Sequence, residues 1–96
     1  MKKIVLTVKE FLLLKKVQDV ASFAYNEPDD FIEENSDKAE FSKNPEEEMP
    51  ELELETEIFD DITDSIDSYV SVMEEGEEKN EAQKLLVRFE NVDENN

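Results

Sequence analysis

Between residues 26 and 83 the chain carries 23 acidic side chains against three lysines, a net charge of −20. An ionised carboxylate is not held in a dry core without a partner, and three lysines cannot partner 23 acids. Any fold of this block must therefore turn its acids to water, so the apolar residues between them have to recur at the period of a helix or a strand. The flanks differ: residues 1–25 hold five lysines against Glu10 and Asp19, and the last 13 positions are near neutral, which brings the whole to −18. Such charge with few large apolar groups is the composition of disorder. Six Phe, two Tyr and patterned Leu, Ile and Val argue instead for one folded domain over residues 1–96, with the modest core that 96 residues allow.

The pattern divides the chain into a basic, apolar strand-helix scaffold (1–25), an acidic loop (26–50), a strand-helix-strand unit (51–92) and a disordered tail (93–96). "KIVL" at residues 3–6 reads as a short strand. "TVKE" from Thr7 to Glu10 has capping-box spacing, with Leu6 and Phe11 at hydrophobic-staple positions. A helix then runs to about Tyr25 on Leu13, Val17, Val20 and Ala24, with Phe11 and Leu14 beside them. Three successive leucines, Leu12 to Leu14, make it apolar on more than one face, so it is either central in the fold or shared with a second copy. A homodimer follows as an expectation.

"NEPDDFIEEN" suits a short helical turn, with Pro28 and acids near its start. Residues 35–50 have no period and contain two prolines, which predicts a mobile loop. "ELELETEIF" alternates, placing Leu52, Leu54, Thr56 and Ile58 on one face and Glu51, Glu53, Glu55 and Glu57 on the other, as a half-buried strand does. Asp60 or Asp61 then caps a helix with the stripe Ile62, Ile66, Tyr69, Val70 and Met73, and Gly76 stands where it should stop. "SYVSVME" also alternates, so residues 65–75 stay open between helix and strand. "KLLVRFENV" sets Leu85, Val87 and Phe89 against Leu86, Arg88 and Glu90, a closing strand. The fold class expected is α+β, in the order β-α-β-α-β.

With neither Cys nor His, the chain lacks thiolate and imidazole chemistry and the usual zinc ligands, and is consistent with a reducing compartment. It has no phosphate-binding glycine loop or nucleophile elbow, and its carboxylates sit on a solvated face where their pKa values are not driven apart. Neither catalysis nor a cofactor is expected. Asp60 to Glu75 lacks the EF-hand spacing, so no dedicated metal site is expected either. Lys9 and Glu10 interrupt the N-terminal apolar run and no cleavage site follows, so a soluble cytoplasmic protein is expected. The overall potential repels nucleic acid and anionic lipid, which leaves the five early lysines as charges offsetting the acidic block.

Alternate strand residues lie about 6.7 Å apart, and helix positions three or four apart about 5–6 Å. A strand face beside a helix face thus offers two rows of anions at a density near that of duplex DNA, one charge per roughly 1.7 Å of axis. The expected partner-binding set is Glu51, Glu53, Glu55 and Glu57 on the strand, Asp60, Asp61, Asp64 and Asp67 on the helix, and Glu74 and Glu75 after it.

In size, acidity and lack of Cys and His, with "ELELETE" beside "DDITDSIDS", residues 27–81 resemble the acidic DNA-mimic proteins of bacteriophages. The likeness is one of character, since these proteins share no motif. Within the family the chain is most similar to Bacillus-phage inhibitors of the nucleoid protein HU. The resemblance implies a basic host DNA-binding protein as partner, HU favoured over RNA polymerase, a nuclease or a glycosylase, and action in the host cytoplasm. The alternative is a non-mimetic acidic interaction or transcription factor whose contact is made by Phe31, Phe41 and Met49.

Overall fold

The computed structural model describes residues 1–93. Its elements are β1 (Lys2–Ile4), α1 (Val8–Ala21), α2 (Asn26–Phe41), β2 (Leu52–Leu54), α3 (Thr56–Val72) and α4 (Glu77–Glu90). The expected α+β order with three strands is thereby corrected to four helices and one two-stranded sheet. β1 and β2 run antiparallel, with Lys2 opposite Leu54, Lys3 opposite Glu53 and Ile4 opposite Leu52. α1 packs against both α2 and α3, and α3 against α4. Residues 94–96, most of the expected tail, lie outside the described residues.

The capping box forms as its spacing predicts. The Thr7 amide donates to Glu10 Oε1 at 2.9 Å, and the Glu10 amide to Thr7 Oγ1 at 3.2 Å. The other free amides of that first turn find partners far along the chain: Val8 N–H donates to Glu47 O (2.8 Å) and Lys9 N–H to Pro45 O (3.1 Å). Met49 N–H closes the register on Leu6 O (2.8 Å), and its side chain is only 3% exposed. The expected mobile loop is therefore half helix and half strap, the strap fixed by donors it meets only once α1 is in place.

α2 continues six residues beyond the turn expected at 26–35. Ile32 and Ala39, seven apart, are buried on one face. Asn35 and Ser36, which otherwise compete with helical backbone, donate instead to the carbonyls of Phe31 (2.8 Å) and Ile32 (2.6 Å).

The strand over "ELELETEIF" is cut to three residues because α3 begins at Thr56. An extended chain would turn Phe59 to water, since it falls on the face opposite Ile58. The helix buries both, along with Ile62, Ile66 and Val70, and resolves residues 65–72 as helix. Gly76 does not stop α3, which ends at Val72; it precedes α4, with φ 158° and ψ −174°, a region nearly confined to glycine. The closing strand is absent too. Ala82, Leu85, Leu86 and Phe89, at i, i+3, i+4 and i+7, are buried as one helical face, and Val87 is 47% exposed.

On α1 the buried face is Val8, Phe11, Leu14 and Val17. Val20, expected inside, is 65% exposed, and Leu12 and Leu13 are half-buried. The ring of Phe59 lies 5.0 Å from that of Phe89, joining α3 to α4, and Phe31 meets Phe11 edge-on at 5.8 Å, joining α2 to α1. No charged side chain is buried among the described residues, and none of the described helices is long and apolar enough to cross a membrane.

Candidate binding surface

The ten carboxylates expected to form the binding set do not share one face. Glu51 precedes β2, Glu53 lies in it, Glu55 is the residue before α3, and Glu57 is already in the first turn of that helix. The four-glutamate strand ladder does not exist. Glu53 is paired with Lys3 at 3.2 Å, and Glu75, in the connection to α4 with Glu74, with Lys79 at 3.1 Å.

Helical geometry assembles another row. Glu57, Asp60, Asp64 and Asp67 stand at i, i+3, i+7 and i+10 of α3, opposite its buried Ile62 and Ile66, and span about 15 Å at 1.5 Å per residue. Asp60 is neutralised by Lys2 (2.8 Å), while Asp64 and Asp67 are exposed without an ion partner among the described residues. Asp61, off to one side, accepts from the amide of Ala24 at 3.0 Å and so ties the α1–α2 corner to α3.

α2 carries a second row that the sequence reading assigned to a loop. Glu27, Asp30, Glu34 and Asp37 repeat the same 3-4-3 spacing, opposite Ile32 and Ala39, and all four are exposed with no ion partner among the described residues. Glu27, Asp30 and Glu34 lie in the helical turn expected from the sequence, and Asp37 joins their row only because the helix runs on past residue 35. Acids early in the helix and Lys38 in its last turn also suit its dipole.

Pairing elsewhere sharpens the contrast. Eight of the ten basic residues face a carboxylate, mostly on β1, α1 and α4. Arg88 is the busiest, donating to Glu10 and to the carbonyl of Val5 at 3.0 Å. Exposed pairs contribute only about 0–1 kcal/mol each. Their larger consequence is to leave most acids on the outer faces of α2 and α3, along with Glu46, Glu47 and Glu48 of the strap, without an ion partner among the described residues.

The two rows begin near one another. Tyr25, just before α2, donates its hydroxyl to Glu57 at 2.9 Å, and the shallow cleft it lines with Thr56 also holds Asp60, Asp61 and Asp64. That hydrogen bond, then desolvation, then the charges of Glu57, Asp61 and Glu27 raise the phenol above its ordinary range, because a phenolate there would face carboxylates. A raised folded-state pKa means that the contribution to stability is complete below the unfolded value near 10 and is lost as pH rises through the folded one. In an ultraviolet titration Tyr25 should thus ionise late, and Glu57→Gln should lower its midpoint. A midpoint unmoved by Glu57→Gln would contradict the contact. Glu81, held by Lys9, shifts the other way and keeps its charge to lower pH.

Among the described residues no group of three carboxylates is placed to hold a metal ion. No protein-family model, curated protein or solved structure matches this chain.

Proposed function

We propose that the protein is a decoy for nucleic acid: it occupies the DNA-binding surface of a basic host protein, with the nucleoid protein HU the favoured target, and keeps DNA from it. The observation that carries this reading is the α2 row, four exposed carboxylates over about 15 Å that form no ion pair among the described residues. One strand of duplex DNA presents about four phosphates over the same length, at 3.4 Å each. A groove lined with Lys and Arg gains from such a row what it gains from DNA, fixed counter-charges in place of mobile ions. The α3 row adds Asp64 and Asp67 to the same field.

The test is displacement. Labelled duplex DNA bound to purified HU is titrated with the full chain at low and at high salt. Release of DNA at stoichiometric amounts, weakening as salt rises, is the expected result; DNA that stays bound throughout excludes HU as target. RNA polymerase, a nuclease and a glycosylase are the next targets to titrate in the same format.

A second reading has one observation in its favour. Of the residues expected to make a non-mimetic contact, Met49 is buried and Phe31 is packed on Phe11, but Phe41 is 82% exposed at the end of α2. If Phe41 carries the contact, binding to the host protein will be indifferent to salt and will collapse on Phe41→Ser.

A further inference from the structure

Between α1, the strap and α4 lies a groove of about 780 Å³. Its floor is apolar: Leu12 and Leu13, which α1 does not turn into the core, lie there with Leu85 and Tyr69. Its rim is balanced. Lys9, Lys16, Lys43, Lys84 and Arg88 line it against five glutamates, so half of all the basic residues are gathered here and the entire net charge of −18 lies on other residues. Phe41, the most exposed large apolar side chain described, stands one residue before Ser42, which lines the groove.

We propose that this groove is the seat of a homodimer, in which two copies meet about a two-fold axis and the ring of Phe41 of the partner subunit lies against Leu12 and Leu13. The choice of occupant follows from charge. Copies carrying −18 each repel wherever the acidic rows face one another, and a neutral apolar face is where they can approach. A basic partner is drawn instead to α2 and α3, and an anionic one is repelled by the molecule as a whole. The two-fold makes the contact self-complementary, since each copy supplies both a ring and a groove. It also offers a carboxylate across the interface to Lys43, which has no ion partner among the described residues of its own copy. On α2 Phe41 follows Asp37 by one turn on the same face, so the contact brings the last carboxylate of that row to the lysine-bearing rim of the partner's groove, and the proposal stands independently of the decoy reading.

Sedimentation equilibrium of the full chain tests it, with salt as the discriminating variable. Association of like-charged copies tightens as salt is added, the reverse of decoy binding to a basic protein. The wild type is expected to be a dimer, and Phe41→Ser to raise its dissociation constant about thirtyfold, the loss typical of a central aromatic anchor, with an unchanged circular dichroism spectrum. The chain has no cysteine, so a mixture of Leu13→Cys and Phe41→Cys proteins reports the contact directly, by a disulfide joining one variant to the other on oxidation. A wild type that stays monomeric at every salt concentration overturns the proposal, as does a dimer insensitive to Phe41→Ser that gives no mixed cross-link. A monomer in which Phe41→Ser weakens binding to HU would assign Phe41 to the host contact and overturn it too.

Discussion

Conversion of Glu27, Asp30, Glu34 and Asp37 to their amides is expected to weaken binding to HU by roughly thirtyfold to a thousandfold, at about 0.5–1 kcal/mol for each charge pair lost. The dependence on salt should flatten in the same steps, because each missing carboxylate is one fewer ion exchange. The effect ought to be clean, since all four side chains are exposed, with no ion partner among the described residues, and α2 keeps its buried Pro28, Ile32 and Ala39. Removing them eases self-repulsion, so the free chain should gain stability at low salt while its complex loses it. Asp64→Asn with Asp67→Asn should act the same way on a smaller scale. Glu51, Glu53, Glu55 and Glu57 changed to Gln give the sharpest contrast: Glu53 is already held by Lys3 and Glu57 by the Tyr25 hydroxyl, so fewer free charges disappear. Titration of the three variants against HU at two salt concentrations decides the matter. A strand-side variant weaker than the α2 variant would return the binding surface to residues 51–57.

Phe89→Ala is expected to have the largest effect on folding. The ring is 1% exposed and tilted against Phe59 at the joint between α3 and α4, and deleting a buried phenylalanine costs about 3–5 kcal/mol. A native chain of this size holds about 5–14 kcal/mol in total, and self-repulsion of 23 acids in one block works toward the low end. The variant should be largely unfolded in low salt and recover part of its structure as salt screens the block. Val87→Ala, two positions away, should change stability by less than about 0.5 kcal/mol. Urea unfolding of the pair separates helix from strand: alternation would put Val87 and Phe89 on one buried face, whereas α4 puts only Phe89 inside. Comparable losses for both would restore the strand.

The same segment shows what was legible in the amino-acid order. Ala82, Leu85, Leu86 and Phe89 fit a helix, while Leu85, Val87 and Phe89 fit a strand, and within nine residues neither period outweighs the other. The helix prevails because it buries Ala82 and Leu86 at the loss of Val87 alone. Residues 52–58 were ambiguous in the same way until Phe59 was counted. The binding rows inherited the error: an acid at every second position became a misplaced ladder, and an acid at every third or fourth position in α2 went unread, because rows follow the element that carries them.

The order of residues by itself determined the start of α1, through the short-range pairing of Thr7 with Glu10, and the exposure of the acids, for which no charged partners exist in sufficient number. These depend on neighbours within a turn or on charge alone. Tertiary structure decided the rest. The strap is fixed by amides of Val8 and Lys9 that are nearly forty residues away, and the buried side of α1 was chosen by α2 and α3 packing on Phe11, Leu14 and Val17 rather than on Leu13 and Val20. Leu12 and Leu13 were left to line a groove for the same reason: a helix apolar on several faces has no preferred core side until its neighbours remove one face from water.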